Sequence, residues 1–157
     1  MSMEALLEEV SRHHFPNPPA TPAQLEMFEQ RMGWRMDPDL RAFYLHCNGA
    51  RLFEQPDSPY RLLPLDKILR ARVAMRGEDS DEWGPASWYV LCDLHDRDRI
   101  LVDVGRKEND RYPIIDGWHE GFPDPEDCEQ VAGSFSEFLE AALRSDGRKF
   151  WLKRSSP

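Results

Sequence analysis

Trp88-Tyr-Val-Leu-Cys92 and Ile100-Leu-Val-Asp-Val104, joined by Asp93-Leu-His-Asp-Arg-Asp-Arg99, decide the fold class of this chain. Each run is rich in β-branched or aromatic residues and too short for a helix, so the two read as adjacent antiparallel strands. Both faces of each run are largely apolar. That suits strands near the middle of a sheet, with helices over at least one side.

The flanking sequence supplies the cover. Leu6, Leu7, Val10 and His14 share one face of a helix over residues 3–14, closed by Phe15-Pro16-Asn17-Pro18-Pro19. Thr21-Pro22-Ala23-Gln24 combines a cap, a proline at the first helical position and a Gln three residues after the cap, a capping box. Leu25, Phe28 and Met32 then line one face until Gly33 stops the helix. Asp37-Pro38 opens the next, with Leu40, Phe43, Tyr44 and Cys47 on one stripe and Asn48-Gly49 at its end. These two helices form a hairpin whose apolar faces need a sheet to pack on.

Leu52-Phe53 and Tyr60-Arg-Leu-Leu-Pro-Leu65 read as short strands around a turn at residues 55–59, with Pro64 at a strand end or an edge. Asp66 is expected to cap a helix carrying Ile68, Leu69, Val73 and Met75. Residues 77–82 are an acidic loop leading to Trp83-Gly84-Pro85. Past the central pair, residues 112–119 read as a strand breaking near Gly117, and residues 121–127 as a loop of acids and prolines. Ser134-Phe-Ser-Glu137 is a further capping box, with Phe135, Phe138, Leu139, Ala142 and Leu143 along the helix it opens. The tail at residues 148–154 mixes basic and aromatic side chains, as a docked terminal segment or a loose end. The class is α+β: a mixed or mostly antiparallel sheet of about four to six strands, packed by the N-terminal helical hairpin and the C-terminal helix.

The 157 residues are expected to form a single domain with a proper core, and 40% apolar content sets them apart from disordered chains. No run approaches the roughly 20 apolar residues that span a bilayer. The first residues carry acids and lack the basic flank and apolar region of a secretory signal. Three cysteines without paired spacing point to a reducing compartment, so the expected location is cytoplasmic. A formal charge of −9 repels nucleic acid and anionic membrane and attracts a basic partner. Many cytosolic proteins are acidic merely for solubility, so charge excludes more than it identifies.

No chemistry is announced. Adjacent histidines such as His13-His14 point about 100° apart on a helix and chelate poorly, and His119-Glu120 has no second ligand pair nearby. Asp93, Asp96, Asp98 and Asp103 lack the glycine turn and terminal Glu of a calcium loop, and Arg97 and Arg99 stand ready to neutralise them. A self-paired solvated loop is the default for this set, an interaction rim the second reading and a metal site the third. No nucleophile elbow, phosphate-binding glycine loop or Cys–His setting is present. No catalytic, cofactor or metal residue is therefore assigned. The aromatics in and beside the acidic loops are different, because interfaces use aromatic anchors within a charged rim. Trp83 and Phe122 fit an anchor and a core role equally, whereas Trp118 is assigned to the core.

The order of these segments resembles the SUKH superfamily, which includes bacterial toxin-immunity proteins and fungal cell-wall-synthesis regulators. The resemblance runs over residues 20–144. It is carried by Thr21-Pro-Ala-Gln-Leu-Glu-Met-Phe-Glu-Gln-Arg-Met-Gly33, Asp37-Pro-Asp-Leu-Arg-Ala-Phe-Tyr-Leu-His-Cys-Asn-Gly49, Leu63-Pro-Leu65, the central pair, and Val131-Ala-Gly-Ser-Phe-Ser-Glu-Phe-Leu-Glu140. Two positions depart from it: Asp37 stands where an apolar residue is usual, and the 93–99 loop has no glycine.

The resemblance implies an α+β fold and a non-catalytic role, with bacterial members binding and blocking a toxin domain. An acidic chain of this kind is suited to occlude the basic cleft of a nuclease-like toxin. The expected contact residues are Asp79, Asp81, Glu82, Trp83, Asp96, Asp98, Phe122, Asp124 and Glu126. No cofactor, nucleic acid or membrane is expected. A regulatory or scaffold protein without a toxin is the alternative, and a small-ligand-binding protein or hydrolase the third class.

Overall fold

The computed structural model describes residues 2–54, 60–94 and 97–151. Among them the helices are α1 (Met3–His13), α2 (Pro22–Met32), α3 (Pro38–His46), α4 (Ala71–Arg76) and α5 (Phe135–Leu143). The strands are β1 (Phe15–Pro16), β2 (Ala50–Arg51), β3 (Arg61–Leu62), β4 (Trp88–Asp93), β5 (Arg99–Asp103), β6 (Ile114–Gly117) and β7 (Gln130–Ala132). They form one sheet in sequence order, each antiparallel to the next. The sheet is a meander with β4 in its centre. None of the described helices is long and apolar enough to cross a membrane.

The capping signal of α2 acts as its sequence dictates. Thr21 Oγ1 accepts the Gln24 N–H while Gln24 Oε1 accepts the Thr21 N–H, closing the box on α2. At α5 only one arm closes on the cap residue. Ser134 Oγ accepts the Glu137 N–H, but the Glu137 carboxylate takes the Gly133 N–H instead.

Seven strands exceed the four to six expected. The surplus lies in pieces of two or three residues, too short to show a period, such as β1 within a supposed proline breaker and β7 just before α5. The strand expected at Leu52-Phe53 falls instead on Ala50–Arg51. Phe53 sits at φ 70°, outside the extended region, and donates its N–H to His14 Nδ1. The turn at 55–59 lies outside the described residues. Asp66 caps no α-helix and falls within a 3-10 turn, Leu65–Lys67. Leu69 and Arg70 pair with β4, with Val90 donating its N–H to the Leu69 carbonyl, so the helix starts only at Ala71.

The sheet buries both faces. Tyr89, Leu91, Cys92, Ile100, Val102 and Ile114 join the main core with Leu6, Val10, Phe28, Phe43 and Phe138 of the helices. A bulge between Val90 and Cys92 turns the consecutive Leu91 and Cys92 into that same core. Trp88, Val90, Leu101 and Ile115 face the other way, under Ala71 of α4 and Phe122 and Cys128 of a loop. The described part of the tail is docked: Phe150 and Trp151 lie 5.8 and 6.5 Å from the Phe138 ring, and Tyr60 OH donates to the Arg148 carbonyl.

Both departures from the family pattern have a physical reason. Asp37 is 1% exposed; one carboxylate oxygen accepts the Leu40 N–H and the other the Tyr112 N–H, each at 2.9 Å. It caps α3 and stitches that helix to the segment before β6. In the glycine-free hairpin, Arg97 takes φ 67° and the Leu94 N–H donates to the Asp98 carbonyl.

Candidate partner-binding face

The second sheet face is roofed by a helix of six residues and two loops, which are tied down by arginines. Arg72, with its side chain 8% exposed, donates to Asp79 at 2.7 Å, to Asp81 at 2.8 Å and to the Gly84 carbonyl at 3.2 Å. Arg70 adds a contact to the second oxygen of Asp79 at 3.0 Å. The hydrogen bond from Arg72 holds the Asp79 carboxyl below its ordinary pKa, and the charge of Arg70 adds to the effect. One turn along α4, Arg76 donates to the His119 and Phe122 carbonyls at 3.2 and 2.6 Å, its guanidinium 5.5 Å from the Phe122 ring.

The two loops abut. A Cβ placed on Gly84 would lie 2.9 Å from Pro123 Cβ and 3.4 Å from Phe122 Cζ, so only glycine allows this approach. The 77–84 loop therefore presents Asp79, Asp81 and Glu82 beside the 121–128 loop with its exposed Asp124 and Glu126. Trp83 is half-buried, and its Nε1 donates to Glu78 at 3.4 Å. Asp124 braces its own loop, its side chain accepting the Glu126 N–H.

The other expected contact residues stand elsewhere. Phe122 is 3% exposed and its ring lies 6.1 Å from Trp88, so it anchors the loop from beneath. The Asp98 side chain is 12% exposed and fully engaged: one oxygen takes the His119 N–H and ring Nδ1, the other the Lys149 ammonium at 2.9 Å. Burial opposes ionisation of Asp98, but the His119 bonds and Lys149 outweigh it and hold the carboxyl below its ordinary pKa. Asp96 lies outside the described residues.

Trp118, assigned to the core from sequence, is 40% exposed. β6 ends at Gly117, and the Trp118 carbonyl accepts the N–H groups of both Gly121 and Phe122, turning the chain so that Phe122 reaches the sheet instead. Arg70, Arg72 and Arg76 were not singled out from sequence. Their one signal is position, on a short helix running straight into an acidic run.

The rest of the surface offers less. A shallow cavity of about 300 Å³ beside α2 is lined by Gln24, Met27, Phe28, Arg31, Asn48, Leu65 and Asp66, a mixed set without convergent chemistry. Among the described residues no three His, Cys, Asp or Glu gather as metal ligands. All three cysteines are buried, and burial pushes the thiols of Cys47 and Cys128 up to about 12 and that of Cys92 higher still. None is a poised nucleophile.

Comparison with known proteins agrees with the fold. A family model described as the SMI1 / KNR4 family (SUKH-1) matches residues 19–141. Among curated proteins of Bacillus subtilis (strain 168), the chain is 22% identical over 116 residues to "Immunity protein YokJ", covering 73% of this chain and 69% of that one. It is 24% identical over 138 residues to "Uncharacterized protein YnaB", covering 88% and 85%.

Proposed function

Since the chain belongs to the SMI1 / KNR4 family (SUKH-1), we propose that it is an immunity-type protein, neutralising a cognate bacterial toxin by stoichiometric binding and without catalysis. The relative named as an immunity protein supports this reading. The observation that carries it is the pair of abutting acidic loops, fastened to α4 by Arg72 and Arg76. A carboxylate face held in place loses little entropy on binding and steers a basic partner toward it.

The partner is a basic, nuclease-like toxin domain, met in the cytoplasm, and this chain acts as one domain. The contact face comprises Asp79, Asp81, Glu82, Trp83, Asp124 and Glu126, with Phe122 and Asp98 as its supports. Blocking works by occupation: a negative face laid across a basic cleft excludes the polyanion that the cleft would take. The test is isothermal titration of the purified chain with the toxin domain encoded beside its gene, together with co-expression survival. One-to-one binding and rescue are expected. No binding, or survival without binding, overturns the reading.

A further inference from the structure

The roof over the second sheet face does more than cover a core. It also displays one tryptophan. Hydrogen bonds fix the peptide that follows Trp118: its N–H, from His119, is held by the Asp98 carboxylate, and the Trp118 carbonyl takes the Gly121 and Phe122 N–H groups. The indole itself leans on the loop. A Cβ on Gly121 would lie 2.8 Å from Trp118 Cε3 and 2.4 Å from Asp127 Cβ, so the ring packs over a glycine with Asp127 alongside. The residue as a whole is 40% exposed.

The fold seats cations over aromatic rings repeatedly: Arg51 over Phe15 at 4.5 Å, Arg76 over Phe122, Arg70 over Tyr89, Lys107 over Tyr112 and Arg31 over Phe28. Among the described residues none sits over Trp118, although indole is the strongest side-chain acceptor of a cation. Its surroundings are acidic instead, with Glu120, Asp124, Glu126 and Asp127 all exposed on the same loop. An exposed aromatic ring with Asp127 alongside and further carboxylates on its own loop is complementary to an arginine or lysine reaching out from another protein.

We propose that Trp118 is the anchor of the partner interface, stacking on an arginine or lysine of the basic partner while Glu120 and Asp127 pair with its charge. This rests on the immunity reading for the identity of the partner, and adds a residue and a contact chemistry to it. The probe is the catalytically inactivated toxin domain encoded beside the gene, titrated into wild type, Trp118→Ala and Trp118→Phe. Truncating a central tryptophan anchor weakens binding by about thirtyfold, whereas phenylalanine retains a π face and loses about fivefold or less. A wild type that binds beside a Trp118→Ala variant within about twofold of it overturns the anchor and leaves the immunity reading standing. A wild type that does not bind overturns both. Should Trp118→Ala unfold, the intact chain with 5-fluorotryptophan decides: the Trp118 fluorine resonance, identified by its loss in Trp118→Phe, shifts and becomes shielded from a soluble paramagnetic quencher on adding the toxin domain. Continued full quenching in the complex overturns the proposal.

Discussion

Asp37 gives the sharpest test of how the fold is held. Its two oxygens serve different elements, the N-terminus of α3 through Leu40 and the segment before β6 through Tyr112. Replacing it by alanine removes a helix cap, at about 1 kcal/mol, and strands the buried Tyr112 N–H, at about 1–3 kcal/mol. Relief of the buried charge offsets part of this. The two costs sum to about 2–4 kcal/mol, so the expected net loss is about 1–3 kcal/mol, a large share of the roughly 5–15 kcal/mol that holds a domain.

Asparagine separates the two roles. As a helix cap Asn matches Asp, but it has only one acceptor oxygen, so its amide N–H₂ must face the Tyr112 N–H, donor against donor. Asp37→Asn is therefore expected to lose about 1–3 kcal/mol although the cap survives. Urea unfolding at pH 7, with the slopes compared, measures both variants. If Asp37→Asn falls within about 0.5 kcal/mol of wild type, the stitch to Tyr112 contributes nothing and Asp37 is a helix cap alone.

The pH dependence has a defined sign. Burial raises the Asp37 pKa against the two N–H bonds that lower it. The protonation-linked part of its stability is therefore complete below the ordinary aspartate value of 3.8 and is lost as pH rises through the raised folded value, leaving at pH 7 what the two N–H bonds supply. The gap between wild type and Asp37→Asn must widen as pH falls toward 3.8.

Asp98 behaves oppositely: its folded pKa is lowered, so its advantage over Asp98→Asn is present above 3.8 and vanishes as pH falls through the depressed value, as urea unfolding across that range will show. The three buried thiols are expected to resist a disulfide-exchange reagent at pH 8 in the native protein and to react fully in guanidinium; fast labelling of any of them would show that its cover opens. Tyr44→Phe removes the hydroxyl that donates to the Leu63 carbonyl at 2.7 Å, a loss of about 0.5–1.5 kcal/mol by urea unfolding with the fold otherwise intact.

The sequence makes the central pair plain because Trp88–Asp93 and Arg99–Asp103 carry apolar residues on both faces, and both faces are buried. The N-terminal hairpin and α5 are equally plain, since Thr21, Asp37 and Ser134 announce their helices by local chemistry. What escapes is decided by distant partners. β1 and β2 pair with each other through two residues apiece, and no window that short carries a period. Trp118 leaves its expected place in the core, and Phe122 takes the core one of its two readings, because the turn between them depends on bonds to Asp98 and from Arg76, residues remote in sequence. Of the candidate face, the acidic loops are legible as composition. Their fastening is not, because nothing along the chain says that Arg72 and Arg76 point beneath them.

That fastening decides which substitutions can report on a partner. The main core takes four helices, which leaves the second face to α4, too short to hold itself as a helix in isolation. A roof made of loops turns backbone carbonyls inward, and those of Gly84, His119 and Phe122 are met by Arg72 and Arg76. A guanidinium as little exposed as that of Arg72 needs counter-charges, and Asp79 and Asp81 supply them. These two acids are therefore structural as well as exposed, so weaker binding after their removal would have two explanations. Glu82 and Glu126 are exposed, and among the described residues neither side chain enters an ion pair. Reversing both to lysine should leave the urea midpoint within about 0.5 kcal/mol of wild type. It should slow association with the toxin domain by about tenfold at low salt, with the deficit shrinking as ionic strength rises. An unchanged association rate in stopped-flow mixing would mean that the partner docks on another side of the molecule.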